Sequence, residues 1–147
     1  MIEVYTDAYF MKKAYEEALL AFDQGEVPVG AVIVSRNQII AKAHNQTEIL
    51  NDVTAHAEVV AITSAANYLG CKFLEECEMY VTLEPCLMCA GAIKWARVGR
   101  LVYAASDDKN GFMNYGKEVL HPDTKLEFGV MHDECSQIIK EFFKKRR

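Results

Sequence analysis

Two short stretches carry side chains that can do chemistry together: Thr54-Ala55-His56-Ala57-Glu58 and Glu84-Pro85-Cys86-Leu87-Met88-Cys89. Between them they supply one imidazole, two thiols and a carboxylate. Three nitrogen and sulfur ligands, His56, Cys86 and Cys89, are enough to hold a zinc ion and leave its fourth position open for water. Glu58 is then a spare carboxylate, two residues from the histidine, placed to move that water's protons. Cysteines at i and i+3 share a helix face, so both sulfurs can point at one ion. A helix N-terminus carries partial positive charge, which lowers thiol pKa and favours the thiolates that bind metal.

The surrounding elements must bring these stretches together. Phe10, Ala14, Ala18 and Ala21 form an apolar stripe that predicts a helix from about Tyr9 to Asp23, with Asp7 as N-cap and Gly25 as stop. The apolar run Val29 to Val34 reads as a buried strand. After a turn at Ser35 to Gln38, residues Ile39 to Ala43 return as its hairpin partner. His44 to Asp52 is a polar loop. His56 to Leu69 is a second helix closed by Gly70. Met79 to Leu83 is a third strand, stopped by Pro85, which can help start a helix from Leu87 to Ala96. Arg100 to Ala105 is a fourth strand, and Asp107 to Thr124 a long, partly ordered loop. Leu126 to Val130 is a short edge strand, and Asp133 to Lys145 a closing helix with Cys135, Ile138, Ile139, Phe142 and Phe143 on its apolar side. The expected fold is α/β: a three-layer α/β/α domain whose central, mixed, five-stranded sheet is flanked by helices.

The length, 147 residues, fits one domain (1–147) with a proper core, and 51% hydrophobic and 25% charged residues are ordinary for a globular chain. The first residues, Met1 to Asp7, show no basic segment followed by an apolar run, so no secretory signal is expected. No apolar run approaches a membrane span, which makes a cytoplasmic protein the default. Five cysteines, an odd number, do not form a disulfide pattern, and Cys-x-x-Cys in a reducing compartment points to metal or redox chemistry. The net charge of −5 argues against indiscriminate nucleic-acid binding while leaving room for a local basic patch.

Taken whole, the His-x-Glu and Pro-Cys-x-x-Cys pattern resembles that of the zinc-dependent nucleobase deaminases. Glu26-Val27-Pro28-Val29-Gly30-Ala31-Val32, the two motifs, and the ending Glu141-Phe142-Phe143-Lys144-Lys145-Arg146-Arg147 together resemble the bacterial tRNA-specific adenosine deaminases over nearly the whole chain. The resemblance implies a homodimer that converts adenosine to inosine at the wobble position of a tRNA anticodon stem-loop, with one Zn2+ per subunit on His56, Cys86 and Cys89 and proton shuttling by Glu58. It places Asn45 where a substrate-holding asparagine sits; the alternative is a loop-capping residue. It puts Val27, Pro28 and Val29 on the wall of the base pocket and Asp107 near the bound RNA; read on its own, Asp107 is a structural turn residue.

Phe142 and Phe143, beside Lys140, Lys144, Lys145, Arg146 and Arg147, suit an unpaired base and its phosphates; the alternative for the cations is that they only offset the closing helix's dipole and keep the tail soluble, and one of the two rings is instead available to the core. Two departures from the family pattern stand out. Val53 replaces a proline before Thr54, which loosens that loop. Lys109 to Lys117, with Phe112, Met113 and Tyr115, is bulkier than usual; Phe112 or Tyr115 either stacks on a base or plugs the loop onto the domain. Two rivals remain. One is a deaminase of a free base or nucleoside (guanine, cytosine, cytidine). The other is a non-catalytic subunit whose structural zinc takes a fourth ligand from Cys71, Cys77 or His44.

Overall fold

Residues 5–146 are described by the structure, a computed structural model. Helix α1 (Asp7–Asp23) buries Phe10, Met11, Ala14, Ala18 and Ala21 on one stripe. Its N-cap is Thr6 rather than the expected Asp7: Thr6 has extended backbone and its Oγ1 accepts from Tyr9 N at 3.1 Å. Asp7 is used elsewhere. It accepts from the Tyr80 hydroxyl at 2.7 Å and from Arg100 Nη1 and Nη2 at 2.9 and 2.7 Å. A carboxylate that meets a half-buried guanidinium gains more than one capping a helix already capped by its neighbour.

Strands β1 (Gly30–Ser35) and β2 (Gln38–His44) form a hairpin. Its two turn residues, Arg36 and Asn37, both have positive φ, 51° and 63°, the combination that matches the twist of a two-residue hairpin. Gly30 opens β1 against α1. A Cβ there would overlap the carbonyl of Ala14 and crowd Ala18 N, so only glycine lets the helix lie this close.

The chain continues through α2 (Ala57–Leu69), β3 (Cys77–Leu83), α3 (Leu87–Ala96), β4 (Arg100–Ala105), β5 (Lys125–Phe128) and α4 (His132–Lys145). The sheet order is β2-β1-β3-β4-β5, antiparallel on the β1 side and parallel from β3 to β5. The expected mixed, five-stranded α/β/α architecture is therefore present. Alternate strand residues feed two cores. Val32, Val34, Tyr80, Val102 and Ala104 pack with α1 and Cys135 of α4; Ala31, Ile33, Met79, Val81, Leu101 and Tyr103 pack with Ala57, Ala61, Ala90 and Ile93 of α2 and α3. That period-2 split is what a sheet covered on both faces requires.

Most element ends lie within two residues of the sequence reading, and the C-terminal half differs most. The edge strand β5 starts one residue earlier and ends two earlier, at Phe128, because Gly129, at φ 107°, and Met131, at φ 61°, both take the left-handed conformation and swing the chain into α4. The Asp107–Thr124 segment is ordered by two short 3-10 turns, Phe112–Tyr115 and Lys117–Val119. On α4, Cys135, Ile138 and Phe142 are buried, at i, i+3 and i+7, while Phe143 is 49% exposed instead of lying on the apolar side. One residue beyond Phe142, a helical side chain is turned about 100° off that stripe. Phe142 is the ring that joins the core, packing edge-on to Phe22. No helix among the described residues is long and apolar enough to cross a membrane.

Candidate active site

Helices α2 and α3 both start at the same end of the sheet. His56 is the N-cap of α2 and Cys86 that of α3, and neither side chain caps its own helix. Their side chains turn instead to each other. His56 Nδ1 lies 3.7 Å from Cys86 Sγ and 3.4 Å from Cys89 Sγ, the latter from the first turn of α3 and fully buried. All three donor atoms lie within 4.8 Å of one another, so the group could hold a metal ion. Cys71, Cys77 and His44 are not part of the cluster. His44 is occupied by Glu17 at 3.1 Å and Gln24 at 3.0 Å.

The electrostatics are those of a shared proton. A hydrogen bond from the Cys89 thiol, opposed by burial and helped by His56, brings Cys86 down to about 4. The same bond, with burial, pushes the Cys89 thiol up. His56 is raised, first by its contact with Cys86. Glu58, in the first turn of α2, is 3% exposed, and burial pushes its carboxyl up to about 7.

His56, Glu58 and Cys86 open onto a cleft of about 500 Å³, also lined by Val27, Val29, Asn45, Leu83 and Asp107. Asn45 follows β2 and is buried; its Oδ1 accepts from Ala57 N at 2.8 Å. The asparagine thus does what the capping alternative expected, binding an otherwise unpaired N–H at the start of α2. It does so from within the cleft wall. Pro28 is buried but is not among the residues lining the cleft, which Val27 and Val29 face from either side of it.

The comparisons with known proteins agree with this arrangement. The MafB19-like deaminase family model matches residues 5–147. The tRNA-specific adenosine deaminase of Aquifex aeolicus is 46% identical over 144 residues, covering 95% of each chain. That of Bacillus subtilis is 42% identical over 146 residues, covering 96% of this chain and 91% of its own. The chain belongs to the tRNA-specific adenosine deaminase family. A solved structure from work on A-to-I editing by tRNA:A34 deaminases at the wobble position superposes with a TM-score of 0.83. It shares 41% identity and covers 88% of this chain and 98% of its own.

Around this deaminase centre the loops are held by groups that the motif reading passed over. Glu26 is 1% exposed. Its carboxylate accepts from Glu48 N at 3.1 Å, Ile49 N at 2.8 Å and Thr47 Oγ1 at 3.3 Å, fixing the loop that follows Asn45. Glu84, 6% exposed, accepts from Asp107 N and Met113 N, both at 3.0 Å. Both glutamates stand in the quoted motifs, but the only sequence signal was a charged residue beside a buried strand. The loop before His56 is braced without the proline expected from the family pattern: Asp52 Oδ1 accepts from Thr54 N at 2.8 Å and Thr54 Oγ1 at 2.7 Å across an exposed Val53.

The remaining expected contacts divide. Asp107 lines the cleft, and its Oδ1 also accepts from Lys109 N at 3.2 Å and Asn110 N at 3.0 Å, a turn-forming role. Phe112 is fully buried, edge-on to Tyr103, and so plugs the loop onto the core; Tyr115 is 65% exposed at the cleft rim. Phe143 does not line the cleft. It lines an adjoining groove with Lys140, Ser136 and Ile139 that shares Val27, Asp107 and Lys109 with the cleft. Two of the basic C-terminal side chains, both exposed, lie over aromatic rings, Lys145 over Phe22 and Arg146 over Phe142, with Arg146 Nη2 donating to Gly25 O at 2.5 Å. Arg147 lies outside the described residues.

Proposed function

We propose that this protein is a tRNA adenosine deaminase: it hydrolyses adenosine to inosine at the wobble position of an anticodon stem-loop. The observation that carries this is the meeting, at one cleft, of a His-Cys-Cys donor cluster with an extra buried carboxylate and a buried asparagine. The metal is zinc, held by His56, Cys86 and Cys89. A nitrogen and a sulfur bound tetrahedrally to zinc sit roughly 3.6 Å apart at ordinary bond lengths, and the 3.4 and 3.7 Å separations here bracket that value. When bound, the zinc supplies Lewis-acid activation of a water molecule at neutral pH.

The chain's own groups do the rest. Val27 and Val29 wall an apolar slot for a flipped-out base. Asn45, its Oδ1 committed to Ala57 N, keeps its Nδ2 as a donor to the base or ribose. Glu58 takes the proton of the attacking water and delivers it to the ring nitrogen, then assists the departing amine. A carbon–oxygen bond forms, the carbon–nitrogen bond to the amino group breaks, and inosine and ammonia leave. Asp107 shapes the rim, and Phe143 with Lys140 offers the flanking nucleotides a ring and a cation.

The chain is one deaminase domain, residues 1–147, since one continuous sheet carries both ligand segments. It works as a homodimer, and the exposed Leu87, Met88 and Trp95 of α3 are apolar groups that a second copy can cover. A tRNA substrate places it in the cytoplasm.

The test is inosine formation on an anticodon stem-loop with a wobble adenosine, beside free adenosine, cytidine, cytosine and guanine. The RNA should be converted, and Glu58→Gln should lose about 10²–10⁴-fold in rate with full zinc content. Conversion of a free base alone would assign the site to a small-molecule deaminase, and zinc binding without any conversion would make the metal structural.

A further inference from the structure

Beyond the reaction itself, the structure contains a device that ties the cleft rim to the metal segment. We infer that Glu84 is a positioning residue: its carboxylate clasps the Asp107–Met113 loop onto the segment bearing Cys86, and so sets where the rim meets the RNA. This rests on the tRNA-editing function proposed above.

The clasp has several parts. Glu84 closes β3, with its own N–H on Ala105 O at 2.8 Å, two residues before Cys86. One carboxylate oxygen takes the N–H that opens the loop, at Asp107, and the other the N–H at Met113. The backbone adds Phe112 N to Pro85 O at 2.9 Å and a bridge between Cys86 and Gly111. Gly111 is fitted to the carboxylate. Its φ of −68° suits any residue, yet a Cβ there would overlap the Glu84 carboxylate. The held loop carries Asp107, Lys109 and Asn110, all of which line the cleft.

A glutamate has two acceptor oxygens for these two N–H groups, whereas a glutamine has one and must turn its NH2 toward the other. Glu84→Gln keeps the volume and breaks half of the clasp. A loop that touches substrate alike in ground and transition states should show itself in KM.

The experiment compares wild type, Glu84→Gln, Gly111→Ala and the double variant, all zinc-loaded, on the wobble-adenosine stem-loop. It adds zinc content and amide hydrogen exchange at residues 107–113. The expected result is a KM raised about tenfold, the scale of one lost charge-assisted hydrogen bond, with kcat within about twofold, zinc content unchanged and faster exchange in the loop. Gly111→Ala, which crowds the same carboxylate from the loop side, should do the same, and the double variant should add little more. Unchanged KM and exchange in Glu84→Gln would overturn the clasp. So would lost zinc or a fall in kcat alone, which would place Glu84 with the metal or the chemistry, or strictly additive effects in the double variant. If the wild type leaves the RNA unconverted, the proposed function falls, and the exchange measurement alone decides whether Glu84 holds the loop.

Discussion

Replacing Phe112 by alanine should weaken the fold severely although the residue sits in a loop at the rim of the cleft. Its side chain is fully buried, edge-on to Tyr103 with ring centres 6.2 Å apart. Emptying a buried phenylalanine site costs about 3–5 kcal/mol, from lost transfer energy and the cavity left behind. An unfolding entropy of about 2.1 cal/mol/K per residue gives roughly 0.31 kcal/mol/K for a chain of this length. A loss of about 4 kcal/mol should therefore lower Tm by roughly 13 °C. Thermal unfolding followed by circular dichroism on zinc-loaded protein reads this directly. Tyr115→Ala is the internal comparison: three residues on, 65% exposed, it should melt within about 2 °C of wild type while weakening stem-loop binding. A Phe112→Ala protein that melts within 3 °C of wild type, or a Tyr115→Ala protein that melts as early as Phe112→Ala is expected to (both shifts scaled as in), would refute the assignment of one ring to the core and the other to the rim.

Asn45→Asp retains the oxygen that caps Ala57 N but loses the amide donor; it should unfold near the wild-type temperature and lose at least about tenfold in kcat/KM on the stem-loop, whereas equal activity would leave Asn45 a capping residue alone. Asp7 is held below its ordinary value of 3.8, chiefly by hydrogen bonds from Arg100. The stabilisation is therefore present above the ordinary carboxylate value and lost as pH falls through the lower folded one. Asp7→Asn should be less stable than wild type by about 1–3 kcal/mol at pH 7, and the gap should close as the pH drops below 3.8; a gap that persists unchanged in acid denaturation curves would contradict this.

What could be read from the sequence was local. His56-x-Glu58 and Cys86-x-x-Cys89 are spacings within a turn or two, and apolar stripes, apolar runs and the punctuating glycines and proline located the four α-helices and five strands of the described residues. What escaped depends on partners far along the chain. Asp7 looked like a cap because the sequence cannot say that Arg100, 93 positions later, lies across from it. Glu26 and Glu84 looked like ordinary charged residues because their partners are mostly backbone N–H groups of distant loops, which leave no trace in residue type. Phe112 and Tyr115 were equivalent aromatics until the 3-10 turn pointed one inward. Phe142 and Phe143 differ only by one helical step, yet that step separates the core from the groove.

Gly30 shows how a change far from any bound molecule would still be felt by it. Helix and strand touch there backbone to backbone, and only the short span Gln24 to Val29 runs between them. That span contains the loop-holding Glu26 and the two valines of the cleft wall. A single added methyl at position 30 would push α1 off the sheet, and the displacement would pass through the six-residue turn that follows the helix into the slot. The shape of the slot therefore depends on the opposite side of the sheet, at a residue with no side chain at all.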